Sequence, residues 1–124
     1  MTESGCELCT PDMVVLEDDL AYVRYDNNGL SKGHMLVVPR RHVADFFDMS
    51  AAEKSAILSL LDRAKAQVAR EFAPDGYNIG VNVGQAGGQT RMHVHVHLIP
   101  RYTGDVADPR GGIRCVLAKR SPRH

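Results

Sequence analysis

The residues best suited to chemistry lie in Gln89-Thr90-Arg91-Met92-His93-Val94-His95-Val96-His97-Leu98-Ile99-Pro100, where imidazoles alternate with aliphatic side chains. Period-two alternation is the pattern of a β-strand, and it predicts His93, His95 and His97 on one face and Val94, Val96 and Leu98 on the other. Same-face neighbours on a strand stand about 6.7 Å apart. The three histidines are therefore expected as a row of proton donors and acceptors rather than a compact cluster. A metal site is the rival reading, because an H-x-H pair can chelate zinc through neutral ring nitrogens.

Two further stretches carry chemical potential. Cys6-Glu7-Leu8-Cys9 is compatible with a redox dithiol, half of a zinc site or two incidental thiols. A redox pair usually opens a helix whose N-terminus lowers the thiol pKa. Here Thr10-Pro11-Asp12 and Val14-Val15-Leu16 follow instead, a turn leading into a strand, which favours zinc. The segment Gly84-Gln85-Ala86-Gly87-Gly88-Gln89-Thr90 reads either as a plain glycine-rich hairpin or as a nest of N–H groups converging on an anion. Adjacent imidazoles favour the nest, since an electropositive concavity beside them suits a phosphate under attack.

The elements that must position these groups follow from the rest of the chain. Val14 to Glu17 and Ala21 to Tyr25 read as strands joined by the acidic turn Glu17-Asp18-Asp19. Asp26-Asn27-Asn28-Gly29 is a loop by its turn-forming residues. His34-Met35-Leu36-Val37-Val38 is an apolar strand ended by Pro39, and Arg40-Arg41-His42 reads on local grounds as a solvated connection. Val43 to Met49 is expected to form a short helical turn. Ser50-Ala51-Ala52-Glu53 has the capping-box form that starts a longer helix. Its apolar stripe is Ile57, Leu61, Ala64, Val68 and Phe72, with Lys54, Arg63, Lys65 and Arg70 opposite, and Pro74-Asp75-Gly76 must end it. Tyr77 to Val83 resumes alternation as a strand beside the histidine segment. Arg110 to Ala118 is expected to hold a last short strand, and Lys119 to His124 a frayed basic tail.

With 124 residues, 44% of them hydrophobic, the chain suits one compact domain. Fifteen basic residues balance fifteen acidic ones, which argues against a nucleic-acid partner. No apolar run is long enough for a membrane span, and Met1-Thr2-Glu3-Ser4-Gly5 has no signal-peptide character, so a cytoplasmic location is expected. Three cysteines are too few for a disulfide scaffold.

Taken together, the residues resemble the histidine-triad (HIT) family of nucleotide hydrolases and transferases, whose signature is His-φ-His-φ-His-φ-φ with φ apolar. His93-Val94-His95-Val96-His97-Leu98-Ile99 fits it throughout. Asp26, Gly33-His34, the strand to Pro39, the helix, Asn82 and Gly87-Gly88-Gln89-Thr90 occur in family order, so the resemblance covers about residues 6 to 103 of a single HIT-like domain over 1 to 124. It implies an α+β fold, an antiparallel sheet of about five strands with one long and one short helix, in a homodimer. It implies that His95 attacks the α-phosphorus of a nucleoside phosphate and forms a nucleotidyl-histidine, while His97 and His34 orient the site and contact phosphate or leaving group. Asn82, Gly88, Gln89 and Thr90 match positions near the phosphate, and Asp26 matches a ribose-hydroxyl binder. A neutral imidazole is nucleophilic near pH 7, and neighbouring donors can neutralise charge on phosphoryl oxygens, so no catalytic metal is required. Bacterial-type members also hold a structural zinc at positions that match Cys6, Cys9, His42 and His93. Favoured substrates are dinucleoside polyphosphates such as diadenosine tetraphosphate, with nucleoside phosphoramidates and adenylyl conjugates as alternatives. A metal-bound triad and a non-catalytic nucleotide-binding module are the competing classes. Glu7-Leu8 and Arg24 depart from the family pattern near the nucleobase.

Overall fold

A computed structural model describes residues 5–117. Five strands, β1 (Val14–Glu17), β2 (Ala21–Tyr25), β3 (Met35–Pro39), β4 (Gly76–Val81) and β5 (Val96–Arg101), form one antiparallel sheet in the order β1-β2-β3-β5-β4. The single long helix α1 (Ala51–Phe72) lies against one face. This is the α+β architecture expected from the sequence.

Helix α1 starts where it does because Ser50 and Glu53 close a reciprocal capping box. The Glu53 N–H donates to Ser50 Oγ at 3.0 Å and the Ser50 N–H to Glu53 Oε1 at 2.8 Å. It ends at Ala73, which takes a left-handed conformation before Pro74. The buried stripe is Ile57, Leu60, Ala64 and Val68; Leu60, not Leu61, is fully enclosed, with Leu61 and Phe72 at the margin. These side chains meet Ala21 and Val23 of β2, Met35 and Val37 of β3, and Val96 and Leu98 of β5.

Alternation along the same strands turns Tyr22, Leu36 and Val38 to the opposite face, where Leu8 of a 3-10 turn (Glu7–Cys9) covers them. The Tyr22 hydroxyl donates to the Leu8 carbonyl at 2.6 Å, which ties the cysteine-bearing turn to the sheet. The loop from β2 to β3 is drawn closed by the Asp26 N–H donating to the His34 carbonyl at 3.0 Å. Gly33 has φ +85 and rests on Phe72, where a Cβ would come within 2.9 Å of the ring, so this position needs glycine on two counts.

Two expectations are corrected. The histidine segment is not one strand, since β5 begins only at Val96. Upstream the chain is held by other bonds: the Val94 N–H donates to the Val43 carbonyl at 2.8 Å, and no sheet ladder forms there. Residues Gly112–Val116 form a 3-10 turn rather than a strand, with Ile113 against Gly80 of β4. The short helical turn expected between Val43 and Met49 is present as a 3-10 turn over Phe46–Asp48, capped by Asp45. The expected basic tail falls outside the described residues.

Candidate active site and metal centre

Because the triad straddles the start of β5, its histidines separate into two clusters instead of a row. His93 is fully buried, and its Nε2 lies 2.7 Å from the Pro39 carbonyl. A carbonyl only accepts, so Nε2 carries the proton and Nδ1 presents a bare lone pair. That lone pair faces Cys6 Sγ and Cys9 Sγ, each at 3.5 Å, while His42 Nδ1 lies 3.1 Å from Cys9 Sγ. A tetrahedral ion with bonds of about 2.3 Å to sulfur and about 2.1 Å to nitrogen holds such atoms about 3.6 Å apart. The four side chains, whose ligand atoms all lie within 4.8 Å of one another, therefore fit zinc in a closed set that leaves no position for water. Burial lowers the pKa of His93, which keeps it in the neutral form a metal needs. The loop carrying His42 is anchored by its neighbour Arg41, whose Nε and Nη2 donate to Glu53 at 3.0 and 2.8 Å.

The second cluster is built from β5 and the start of β3. His95 Nδ1 lies 2.9 Å from the His93 carbonyl. The same logic puts its proton on Nδ1 and leaves Nε2 as a nucleophilic lone pair. His34 has the opposite arrangement: its Nδ1 accepts from the Leu30 N–H at 3.0 Å, so its proton resides on Nε2. That proton is directed at His97 Nδ1, 3.0 Å away, with Asp26 Oδ2 at 3.5 Å as a second acceptor. His97 accepts at Nδ1 and so carries its own proton on Nε2. Burial, reinforced by His95 and His34, pushes the pKa of His97 down to about 4, and burial also lowers that of His34. At neutral pH the pair is an uncharged relay, Leu30 to His34 to His97, ending in an N–H donor beside His95; the ring centroids of His95 and His97 are 5.1 Å apart.

His95 and His97 open onto a cavity of about 190 Å³ lined also by Asp26, Asn28, Leu36, Asn82, Thr90 and Arg91. An adjoining space of about 450 Å³ shares Asp26, Asn28, Asn82 and His97 and is walled by Leu30, Ile79, Ile99 and Ile113. A nucleophilic nitrogen, a proton donor and polar side chains thus converge on one opening, with room beside it for the two halves of a conjugate.

The glycine loop contributes less than its composition promised. The Gly87 and Gln89 N–H groups donate to the Gly84 carbonyl at 3.1 Å, and that of Gly88 to Gln85 at 3.0 Å, so these donors close the loop on itself instead of converging on an anion. Gln89 turns inward. Its Oε1 accepts from the Gly84 N–H at 2.9 Å and its Nε2 donates to the Ala44 and Arg91 carbonyls at 2.7 and 3.0 Å. It shapes the loop from below, whereas Thr90 reaches the cavity and Gly88 backs onto Asn82. Sequence reasoning passed over Leu36, Asn28 and Arg91 as lining residues. The signal for Arg91 was its place inside the triad segment, two residues before His93; Glu7 holds it at 2.8 Å.

Fold and site together define a small α+β protein with two histidine-bearing clusters, and comparison with known proteins supplies its family. The HIT domain model matches residues 8–104, and the chain belongs to the HIT family. An uncharacterised HIT-like protein of Methanocaldococcus jannaschii is 40% identical over 95 residues, 77% of this chain and 73% of that one. The AP-4-A phosphorylase of Mycobacterium tuberculosis is 33% identical over 75% of this chain, but the match spans only 48% of that longer protein. Other matches are a bis(5'-nucleosyl)-tetraphosphatase of Schizosaccharomyces pombe, 34% identical over 61% of this chain and 42% of that protein, and an adenylylsulfatase of Arabidopsis thaliana, 29% identical over 83% and 55%. Among solved structures, a zinc-bound histidine-triad family protein from Mycobacterium smegmatis superposes with a TM-score of 0.73, at 30% identity, covering 84% of this chain and 80% of that one. The family thus includes enzymes that cleave or phosphorolyse nucleoside polyphosphates and an adenylylsulfatase, and a zinc-bound member shares this fold. No helix among the described residues is long and apolar enough to cross a membrane.

Proposed function

We propose that this protein is a nucleotide hydrolase that attacks the α-phosphorus of a nucleoside phosphate conjugate through His95. The observation that carries the reading is the opposed tautomers: His95 is held with Nε2 bare, while the His34–His97 relay presents a proton beside it. In the first displacement the His95 Nε2 lone pair bonds to phosphorus, the bond to the leaving oxygen or nitrogen breaks, and His97, having taken up a proton as the polyanionic substrate binds, delivers it from Nε2 to the leaving group and is left as the neutral imidazole. In the second, His97 accepts a proton from water as its oxygen attacks phosphorus, and the nitrogen–phosphorus bond breaks to free the nucleoside monophosphate and His95. Asp26 takes the ribose hydroxyls, and Asn82, Thr90 and Arg91 meet phosphoryl oxygens where charge develops. No catalytic metal enters these steps.

Zinc held by Cys6, Cys9, His42 and His93 would be structural. Through His93 it would brace the backbone carbonyl that orients His95. A dinucleoside polyphosphate is the favoured substrate, with diadenosine tetraphosphate the compound to which relatives' names point. Arg91 beside the site, and Arg110 and Arg114 of the later segment, offer charge to additional phosphates. A nucleoside phosphoramidate or an adenylyl conjugate presents the same phosphorus, and the adenylylsulfatase relative supports that second reading. The expected setting is a homodimer in the cytoplasm, where reducing conditions leave Cys6 and Cys9 available to a metal.

A panel of dinucleoside polyphosphates, nucleoside phosphoramidates and adenylyl sulfate, ranked by kcat/KM with and without EDTA, tests the proposal. Turnover that survives brief chelation, with a polyphosphate ranked first, is expected. Nucleotide binding without any turnover would make the protein a binding module, and loss of turnover in EDTA without loss of fold would place a metal in the chemistry.

A further inference from the structure

Arg24 is 3% exposed and lies on the face of the sheet that carries the reaction cavity, opposite α1. Register fixes its neighbours: Arg24 pairs with Leu36 of β3, and Leu36 with His97 of β5. With strands about 4.8 Å apart, Arg24 stands about 10 Å across the sheet from His97. Leu36 lies between them in the cavity floor. Asp26 lies two residues further along the same edge of the cavity, about 6.7 Å from Arg24 by strand rise.

A buried guanidinium normally has a carboxylate partner, because an uncompensated charge away from water is costly. Arg24 makes no ion pair among the described residues. Its Nε donates to the Tyr25 carbonyl at a long 3.3 Å, and it lies near the Tyr22 hydroxyl, where it partly offsets the burial that pushes that phenol up to about 12. Five donors in a rigid fork are more than these two groups use. A nucleoside whose ribose reached Asp26 and whose phosphate reached His95 would set its base near Leu36, the residue paired with Arg24 across β2 and β3.

We propose that Arg24 reads the nucleobase, donating to the adjacent O6 and N7 acceptors of guanine, so that guanosine substrates are taken in preference to adenosine ones. Adenine keeps the N7 acceptor but turns an amino group toward the second donor, setting N–H against N–H. The inference rests on the nucleotidyl reading above and narrows it to one end of the substrate.

The test compares guanosine and adenosine 5'-phosphoramidates, which share a leaving group, and calorimetric titrations of GMP and AMP, using zinc-loaded wild type, Arg24→Met and Arg24→Lys. Wild type is expected to favour guanosine by at least about tenfold in kcat/KM and in Kd. The preference should fall to within about twofold in Arg24→Met and recover only in part in Arg24→Lys, which restores charge without the fork. Equal treatment of the two bases by wild type overturns the assignment, even if Arg24→Met fails to fold. So does an unchanged preference in folded Arg24→Met or Arg24→Lys; lower zinc content or Tm alongside it would mark Arg24 as a structural cation beside Cys6 and Cys9. If neither phosphoramidate turns over, the titrations decide. Guanine-selective binding that Arg24→Met abolishes upholds Arg24 while the catalytic reading fails, and absence of nucleotide binding overturns both.

Discussion

Replacing Glu53 by Gln should destabilise the protein more than any other conservative change on the helix surface, because this one carboxylate joins α1 to the loop that carries His42. Oε1 accepts from the Ser50 N–H and from Arg41 Nη2, and Oε2 from Arg41 Nε. The bidentate Arg41 contact dominates, and it holds the Glu53 carboxyl at about 2, below its ordinary 4.5. At about 1.4 kcal/mol per pH unit, that displacement sets a ceiling of about 3 kcal/mol. Solvent screens the pair from the Arg41 side, which is 47% exposed while Glu53 is 6% exposed. A cost of about 2 kcal/mol is therefore expected, a fall in Tm of roughly 5–10 °C for a chain of this size. The depressed carboxylate contributes stability that is fully present above about pH 4.5 and is lost as pH falls toward about 2. Urea denaturation of wild type and Glu53→Gln at pH 7 and pH 3.5 checks both statements: the gap between them should narrow at the lower pH. A loss below about 0.5 kcal/mol at pH 7, or a gap independent of pH, would refute the reasoning.

The remaining expectations concern the site. His95→Ala should lower kcat by several orders of magnitude while nucleotide binding and Tm stay near wild type, since the half-buried ring bonds to the His93 carbonyl and lies outside the hydrophobic core cluster; retention of a tenth of the wild-type kcat would remove it as nucleophile. Elemental analysis should find one zinc per chain, and Cys6→Ser should lower Tm more than low-temperature activity; metal-free protein of full stability would discard the site. Gly33→Ala should cost roughly 1–3 kcal/mol, because φ is +85 and the new methyl meets Phe72 at 2.9 Å, and should raise KM through the adjoining His34. Wild-type stability in that variant would show that the loop adjusts freely.

The parts of this structure governed by local pattern could be read from sequence. Two short runs on either side of the acidic turn Glu17-Asp18-Asp19 placed β1 and β2, Ser50 and Glu53 announced the start of α1, and Pro74 its end. The triad was legible as chemistry but misleading as geometry. Alternating aliphatic and polar residues fit an extended chain whether or not its N–H groups join a ladder. Here Val94 turns to Val43, and His93 to Pro39, contacts between residues distant in sequence. That divergence splits one motif into a metal centre and a reaction centre. Gln89 escaped for a related reason: a composition suited to anion binding cannot reveal that the loop's own carbonyls take its N–H groups. Arg24 stood out as a departure, but its burial without an ion pair required the packing of Leu8, Tyr22 and Leu36 to become visible.

The proposed reaction passes through a covalent intermediate on His95, and the third triad position offers a way to catch it. An imidazole at His97 can move a proton to a departing group and from incoming water, which a neutral amide cannot do. His97→Gln should therefore slow turnover of poor leaving groups most and let the intermediate accumulate. Wild type and His97→Gln, quenched during turnover of a dinucleoside tetraphosphate, would be analysed by intact mass and peptide mapping. The account predicts an acid-labile nucleotidyl adduct, more abundant in His97→Gln, mapping to His95; an adduct on His93 or on any other side chain would contradict it.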